Sequence, residues 1–210
     1  YCWFGNNKKS KLILKCIESW KKYCPDYEII DWNESNFNIS CCEYVKSAYE
    51  QKKWAYVSDY VRFYVLNKYG GIYLDTDVQL LKPLDELISN GKFAGFAKDD
   101  IVATGLIIAT EKDDWLCKKI LKSYINEKFI WNDDPAKMLA IGRRVTAILV
   151  ENGLKCNGQQ QNIKGYTIYP SYYFNPTNGD MHKKVDKRAY SIHHYAATWF
   201  PTNLRIRNTI

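Results

Sequence analysis

The chain is expected to fold as an α/β protein with a largely parallel central sheet covered by helices. Helical periodicities alternate along it with short apolar runs, the pattern of strands joined by crossover helices. Its 210 residues are 46% hydrophobic and 15% aromatic, enough to bury a substantial core without disulfide or metal staples. Glycine and proline mark the junctions, as at Gly70-Gly71 and Pro83.

Trp3 to Gly5 reads as the end of a strand. Lys9 to Tyr23 places Leu12, Ile13, Cys16, Ile17 and Trp20 on one helical face. Tyr27 to Trp32 reads as a strand, Asn33-Glu34-Ser35-Asn36 as a loop, and residues 41 to 51 as a second helix. Trp54 to Tyr69 is a third helix, with Val57, Val61, Tyr64 and Val65 on a buried stripe and Gly70-Gly71 as its stop. A strand then runs into Asp75, and another covers Val78 to Leu81, closed by Pro83. Phe93 to Ala97 and Gly105 to Ala109 read as strands, Asp113 to Glu127 and Pro135 to Glu151 as helices, Tyr166 to Tyr169 and Tyr190 to His193 as late strands. No internal repeat or low-complexity tract interrupts this order, so residues 1–210 are expected to form one domain. The abrupt opening Tyr-Cys-Trp-Phe-Gly leads us to expect a truncated first strand.

Composition excludes several classes. The seven cysteines, Cys2, Cys16, Cys24, Cys41, Cys42, Cys117 and Cys156, are odd in number and form no Cys-x-x-Cys. Neither a complete disulfide framework nor a zinc knuckle is indicated, and a reducing cytoplasm is the simplest home. Adjacent Cys41 and Cys42 read as helix packing rather than a redox pair. No stretch approaches the roughly 18 apolar residues of a membrane span, and no signal-peptide pattern opens the chain, so a soluble protein is expected. The formal charge of +7 is spread over lysine pairs such as Lys8-Lys9 and Lys118-Lys119, with no nucleic-acid module.

The chemistry concentrates around Asp75-Thr76-Asp77, which follows Gly70-Gly71-Ile72-Tyr73-Leu74. On extended backbone, carboxylates at i and i+2 point the same way and can share one hard cation. Mg²⁺ and Mn²⁺ suit such a pair, because they take one or two carboxylates and complete their shell with phosphate oxygens and water. Two solvated acids at a strand end are the plain alternative. Upstream, Asp59 and Arg62 lie three apart on one helix face, either as a surface ion pair or as part of a site. The turn after that helix brings both pairs to the same end of a sheet, where ligands of open α/β sheets bind.

Ser58-Asp59-x-x-Arg62, then Leu66 and Gly70-Gly71-x-Tyr73-x-Asp75-x-Asp77, resemble the sugar-nucleotide-binding region of the D-x-D glycosyltransferases. That group includes yeast α-1,6-mannosyltransferases, α-1,4-galactosyl- and α-1,4-N-acetylglucosaminyltransferases, bacterial capsular polysaccharide enzymes and, more distantly, clostridial glucosylating toxins. Tyr1-Cys2-Trp3-Phe4-Gly5 and His193-His194-Tyr195-Ala196-Ala197-Thr198-Trp199 are similar to the family's first strand and its late His-rich, Ser/Thr-Trp element. The resemblance implies a GT-A fold and a metal-dependent, retaining transfer of a hexose from a nucleotide diphosphate sugar to a saccharide or lipid-linked saccharide. A uridine diphosphate hexose is the first candidate donor and guanosine diphosphate mannose the second. Bacterial capsular or cell-surface polysaccharide synthesis is the implied setting. The basic surface would favour such anionic donors and an anionic lipid surface carrying the acceptor, so peripheral association at the inner face of a membrane is expected as an option.

The same resemblance implies residue roles. Trp3 would stack on the base, with core packing as its alternative. Asp59 and Arg62 would hold the donor's hydroxyls and phosphate or ribose oxygens, helped by the Ser58 hydroxyl, and Tyr73 would lie near the donor. Asp75 would contact ribose or metal-bound water, and Asp77 would coordinate Mn²⁺ or Mg²⁺ directly. His194 is the first candidate for a further metal ligand, His193 the second and Thr198 an alternative. The two histidines point to opposite faces of a strand, so one of them faces the site. Trp199 would cover the diphosphate. The middle departs from relatives: Ile141-Gly142-Arg143-Arg144 replaces a Thr-Gly-Pro, and Ala103-Thr104-Gly105-Leu106 lacks an asparagine, so acceptor choice is unreadable. Two other classes remain: a catalytically silent sugar-nucleotide-binding protein, and a haloacid-dehalogenase-type phosphatase. The second fits poorly, with Gln79 where Thr or Val is usual and about seventy residues before the Asp pair.

Overall fold

The computed structural model describes residues 1–133, 138–180 and 182–196. Helix α1 (Lys11–Tyr23) starts at Ser10, whose hydroxyl accepts the Ile13 amide at 3.3 Å, and buries Ile13, Cys16, Ile17 and Trp20 as its periodicity requires. Helices α2 (Glu43–Glu50) and α3 (Trp54–Tyr69) follow. Gly70 ends α3 at φ 71°, and its amide donates to the Leu66 carbonyl at 2.7 Å. A side chain there would also strike the Lys112 backbone nitrogen, 2.8 Å from where a Cβ would stand. Strands β1 (Gly71–Tyr73) and β2 (Val78–Leu80) flank the acidic motif. Then come α4 (Asp85–Ser89), β3 (Lys92–Lys98), β4 (Ile101–Val102), β5 (Ile108–Thr110), α5 (Trp115–Lys122), α6 (Ile141–Glu151), β6 (Gln161–Ile163), β7 (Tyr166–Tyr169), a 3₁₀ turn at Ser171–Tyr173 and β8 (Ser191–His193).

The main sheet has the order β1-β5-β3-β7-β6, with β4 attached to β3, and β2 pairs separately with β8. The α/β class stands, and the sheet is mixed. β1, β3 and β7 run one way and β5 and β6 the other, so β3–β7 is its one parallel ladder among the described residues. The expected largely parallel pairing is corrected by connection length: β6 meets β7 through the two-residue turn Lys164-Gly165, both at positive φ, too short for a crossover helix. The expected strand at Tyr27 to Trp32 is reduced to a parallel bridge of Trp32 with Cys2, beside which the Tyr1 amino group donates to the Ile30 carbonyl at 3.1 Å.

The sheet separates two cores, and strand alternation shows it directly. Ala94, Phe96, Ile108 and Ile168 join the cluster under α2, α3, α5 and α6, while Phe93, Ile107, Ala109 and Tyr169 join the cluster with α1 and α4. Helix α3 is buried almost all round, Phe63 included, whereas Tyr64, expected on the buried stripe, is only half-buried. Burying each of Val57, Val61 and Phe63 contributes about 1.5–3 kcal/mol. That burial fixes α3 against β1. All seven cysteines are free thiols, and among the described residues no helix is long and apolar enough to cross a membrane.

Candidate functional site

The middle of α3 carries charge into the core. Arg62 is 3% exposed and Asp59 8%, which removes the surface-pair alternative. Arg62 Nη2 lies 2.8 Å from Asp59 Oδ1 and 3.4 Å from Asp75 Oδ1, its Nε donates to the Ser58 carbonyl at 3.3 Å, and its guanidinium stands 4.6 Å from the Tyr73 ring centre. The Tyr73 hydroxyl donates to Asp75 Oδ1 at 3.1 Å. Arg62 Nη1 is buried without a protein partner. A buried charged donor in that state is costly, and an anionic ligand oxygen would offset the cost.

Gly105 makes this cluster possible. Its carbonyl accepts the Asp75 amide at 2.9 Å, and a Cβ on it would stand 2.0 Å from Asp75 Oδ2 and 3.2 Å from Arg62 Nη1. No positive φ demands a glycine there, so space for the carboxylate is what demands it. Gly105 was not among the candidate site residues; a glycine beside the apolar run Leu106-Ile107-Ile108 was the available signal for a close approach of groups.

Asp75-Thr76-Asp77-Val78 forms a turn closed by the Val78 amide on the Asp75 carbonyl at 3.0 Å, rather than the extended segment expected. The two acids accordingly have different neighbours. Asp75 faces Arg62 and Tyr73, whereas Asp77 Oδ1 is 3.1 Å from His193 Nε2 and its Oδ2 accepts the Ala196 amide at 2.8 Å. The β2–β8 register sets Val78 opposite His193, which delivers His193 to the neighbouring Asp77. The ring of His194, the first candidate for a metal ligand, turns the other way, with Nε2 3.0 Å from Gln79 Oε1. His193 rather than His194 therefore meets Asp77. Tyr195 packs on His193 with ring centres 4.1 Å apart, and its hydroxyl accepts from Asn175 Nδ2 at 2.7 Å, two residues that sequence reasoning missed.

Two carboxylates, Asp59 and Asp75, meet the permanent Arg62 cation, and Asp77 pairs with His193 instead. Burial raises the Asp59 carboxyl to about 7, opposed by the Arg62 charge and reinforced by Asp75. Burial would also raise Asp77, but the His193 hydrogen bond and charge and the Ala196 amide outweigh it and hold Asp77 below its ordinary value. The same contact lifts His193 above its ordinary value against the effect of burial. Arg62 is likewise raised: burial works against its charge, and Asp75, Tyr73 and Asp59 more than offset it.

The other expected residues sit as follows. The Ser58 hydroxyl donates to the Trp54 carbonyl at 2.8 Å, an intrahelical bond. Trp3 is half-buried, its indole donates to the Asn7 carbonyl at 2.7 Å, and Lys9 Nζ stands 5.4 Å from its ring centre. Its neighbour Cys2 is pushed up to about 11 by burial. Thr198 and Trp199 lie outside the described residues. An apolar cavity of about 180 Å³ behind β1, lined by Trp20, Ile29, Trp32, Leu66 and Ile72 among others, includes none of Asp59, Arg62, Asp75 or Asp77.

The donor set suits a hard divalent ion that borrows ligands from its substrate. Carboxylate oxygens of Asp75 and Asp77 are the right chemistry for Mn²⁺ or Mg²⁺. Among the described residues no three acids, histidines or cysteines are already gathered as a cage, so phosphate oxygens would complete the shell.

Residues 10–94 match the family model for the glycosyltransferase sugar-binding region containing the DXD motif. The initiation-specific alpha-1,6-mannosyltransferase of Candida albicans is 30% identical, over 55% of this chain and 34% of that protein. Inositol phosphoceramide mannosyltransferase 3 of Schizosaccharomyces pombe is 36% identical, over 30% of this chain and 19% of that protein. The chain thus spans about a third and about a fifth of the lengths of these two curated relatives. The solved structure of the PaToxG glycosyltransferase superposes with a TM-score of 0.51 at 18% identity, covering 71% of this chain and 66% of that one, a likeness of fold. Residues 10–94, with Asp59, Arg62, Asp75 and Asp77 among them, are thus similar to the DXD-containing sugar-binding region of glycosyltransferases.

Proposed function

We propose that the chain transfers a hexose from a nucleotide diphosphate sugar to a hydroxyl of a saccharide or lipid-linked saccharide, with retention of configuration and with Mn²⁺ or Mg²⁺ at Asp75 and Asp77. The observation that carries this reading is the buried Asp59–Arg62–Asp75 cluster with one guanidinium nitrogen left over. In this role Arg62 Nη1 donates to a donor oxygen, and Asp59, held by the other arm of the fork, accepts from sugar hydroxyls. Trp3 offers an aromatic face to the base. A bound divalent cation would offset charge on the departing diphosphate as the anomeric carbon–oxygen bond breaks. Tyr73 and Gly105 keep Asp75 in place for that ion.

Both curated relatives are mannosyltransferases by name, which ranks guanosine diphosphate mannose ahead of the uridine diphosphate hexoses here. One of the names includes a lipid acceptor, which favours a lipid-linked saccharide in this proposal. Cell-surface glycan assembly is the proposed setting. A panel of sugar nucleotides with and without Mn²⁺, scored for slow donor hydrolysis, tests the activity. Donor binding without any turnover would instead make the chain a silent sugar-nucleotide-binding protein.

A further inference from the structure

Between α5 and α6 the chain holds two isoleucines in water. Ile125 is 68% exposed and Ile130 74%, the highest values among the exposed large hydrophobic side chains of the described residues. Around them the segment is firmly seated. Tyr124 and Phe129 point inward and pack on Tyr44, with ring centres 4.5 and 5.6 Å away, and Phe129 also meets Tyr56 at 4.8 Å. The Phe129 amide donates to Ser47 Oγ at 2.9 Å and its carbonyl accepts from Gln51 Nε2 at 3.2 Å. Two β-branched apolar tips held outside by a seated loop are available to an apolar partner.

Charge around the tips indicates what. Lys52 and Lys122 are exposed there, and Lys53 stands 3.2 Å over the Trp131 ring, an amphipathic pair suited to a boundary between lipid and water. The acids tied to the segment are engaged locally: Glu127 with Arg144 at 2.7 Å, Glu43 with Lys128 at 3.5 Å, and Asp133 with the Trp131 indole at 2.7 Å. The inward ring of Tyr124 lies 5.4 Å from that of Tyr60, the residue after Asp59 on α3, so this rim is attached to the α3 end of the site.

We propose that the Ile125–Ile130 rim docks the protein on an anionic lipid surface, with the isoleucines inserted among acyl chains and the lysines at the headgroups. The rim then brings the Asp59–Arg62 cluster to a membrane-borne acceptor, an extension that rests on the proposed transfer, although docking itself does not. The test is sedimentation of the protein with vesicles of phosphatidylglycerol and phosphatidylcholine, and with phosphatidylcholine alone. Binding is expected to the mixed vesicles, to weaken with salt, and to fall at least tenfold in Ile125→Ser/Ile130→Ser, with soluble-donor hydrolysis unchanged. A Lys52→Gln/Lys122→Gln variant should lose binding to the mixed vesicles. Equal binding by parent and isoleucine variant would overturn the proposal, as would no vesicle binding at all. So would a change in sedimentation coefficient of the free protein with vesicle binding intact, which would assign the rim to a second copy of this chain.

Discussion

Replacing Gly105 by alanine adds one methyl group at the most crowded point of the site. The new carbon would stand 2.0 Å from Asp75 Oδ2 and 2.9 Å from its Cγ, so the carboxylate must retreat by about 1 Å or more to reach ordinary contact. Its present contacts, 3.4 Å to Arg62 and 3.1 Å to the Tyr73 hydroxyl, then open. Misplacing a reacting or positioning group by about 1 Å costs on the order of 10²-fold in rate, or about 2.7 kcal/mol of transition-state stabilisation. Stability should change far less. Asp75 is about a third exposed and can swing toward solvent, and alanine also narrows the unfolded ensemble by about 0.4–1 kcal/mol. The assay is kcat/KM for donor hydrolysis beside a thermal melt. A folded Gly105→Ala protein whose kcat/KM stays within threefold of the parent would refute the assignment of Gly105 as the seat of Asp75.

Three further outcomes are expected. Arg62→Lys keeps a charge but loses the fork that spans Asp59 and leaves Nη1 for the donor, so donor affinity or transfer should fall at least tenfold, about 1.4 kcal/mol, with equal kinetics counting against the role. His193→Ala should weaken donor-linked Mn²⁺ binding in calorimetry while His194→Ala, a partner of Gln79, leaves it near the parent value; the opposite ranking would contradict the register described. Away from the site, Asp114 caps α5 through the Leu116 amide at 2.8 Å, pairs with Lys92 at 2.8 Å and accepts from the Tyr166 hydroxyl at 2.7 Å. Burial opposes its charge, yet these partners depress it below 3.8, so its contribution is complete above about pH 4 and is lost as pH falls through the folded value. Denaturant melts should therefore show Asp114→Asn more destabilising at pH 7 than at pH 3; equal losses at both would remove Asp114 from the acid limb.

What the sequence made legible was local, and what it hid was register and approach. Helix α3 ran from Trp54 to Tyr69 as expected, because its stop, Gly70, acts on the adjacent turn. Arg62 and Asp75 were rightly brought to one end of the sheet, since a single short turn joins α3 to β1. The choice between His193 and His194 could not be read, because alternation says only that one of them faces the site. Which one does is set by β2, more than a hundred residues upstream, through the pairing of Val78 with His193. Gly105 escaped for a similar reason: its need for empty space arises from Asp75, thirty positions away, and not from its own φ. The mixed sheet was hidden by strands as short as Ile101–Val102 and Gln161–Ile163, which carry too few residues to show a period.

The central claim is that a nucleotide diphosphate sugar binds at Arg62, Asp75 and Asp77 with a divalent ion that the protein alone does not cage. Thermal melts of the parent with guanosine diphosphate mannose, with Mn²⁺, and with both together test it most directly. Little shift is expected with Mn²⁺ alone. Donor and Mn²⁺ together should give a large one, corresponding to about 2.7 kcal/mol when the donor is present at a hundred times its dissociation constant. Arg62→Lys and Asp77→Asn should each shrink that joint shift. Melts unchanged by guanosine diphosphate mannose and by uridine diphosphate hexoses, with or without Mn²⁺ or Mg²⁺, would contradict the account.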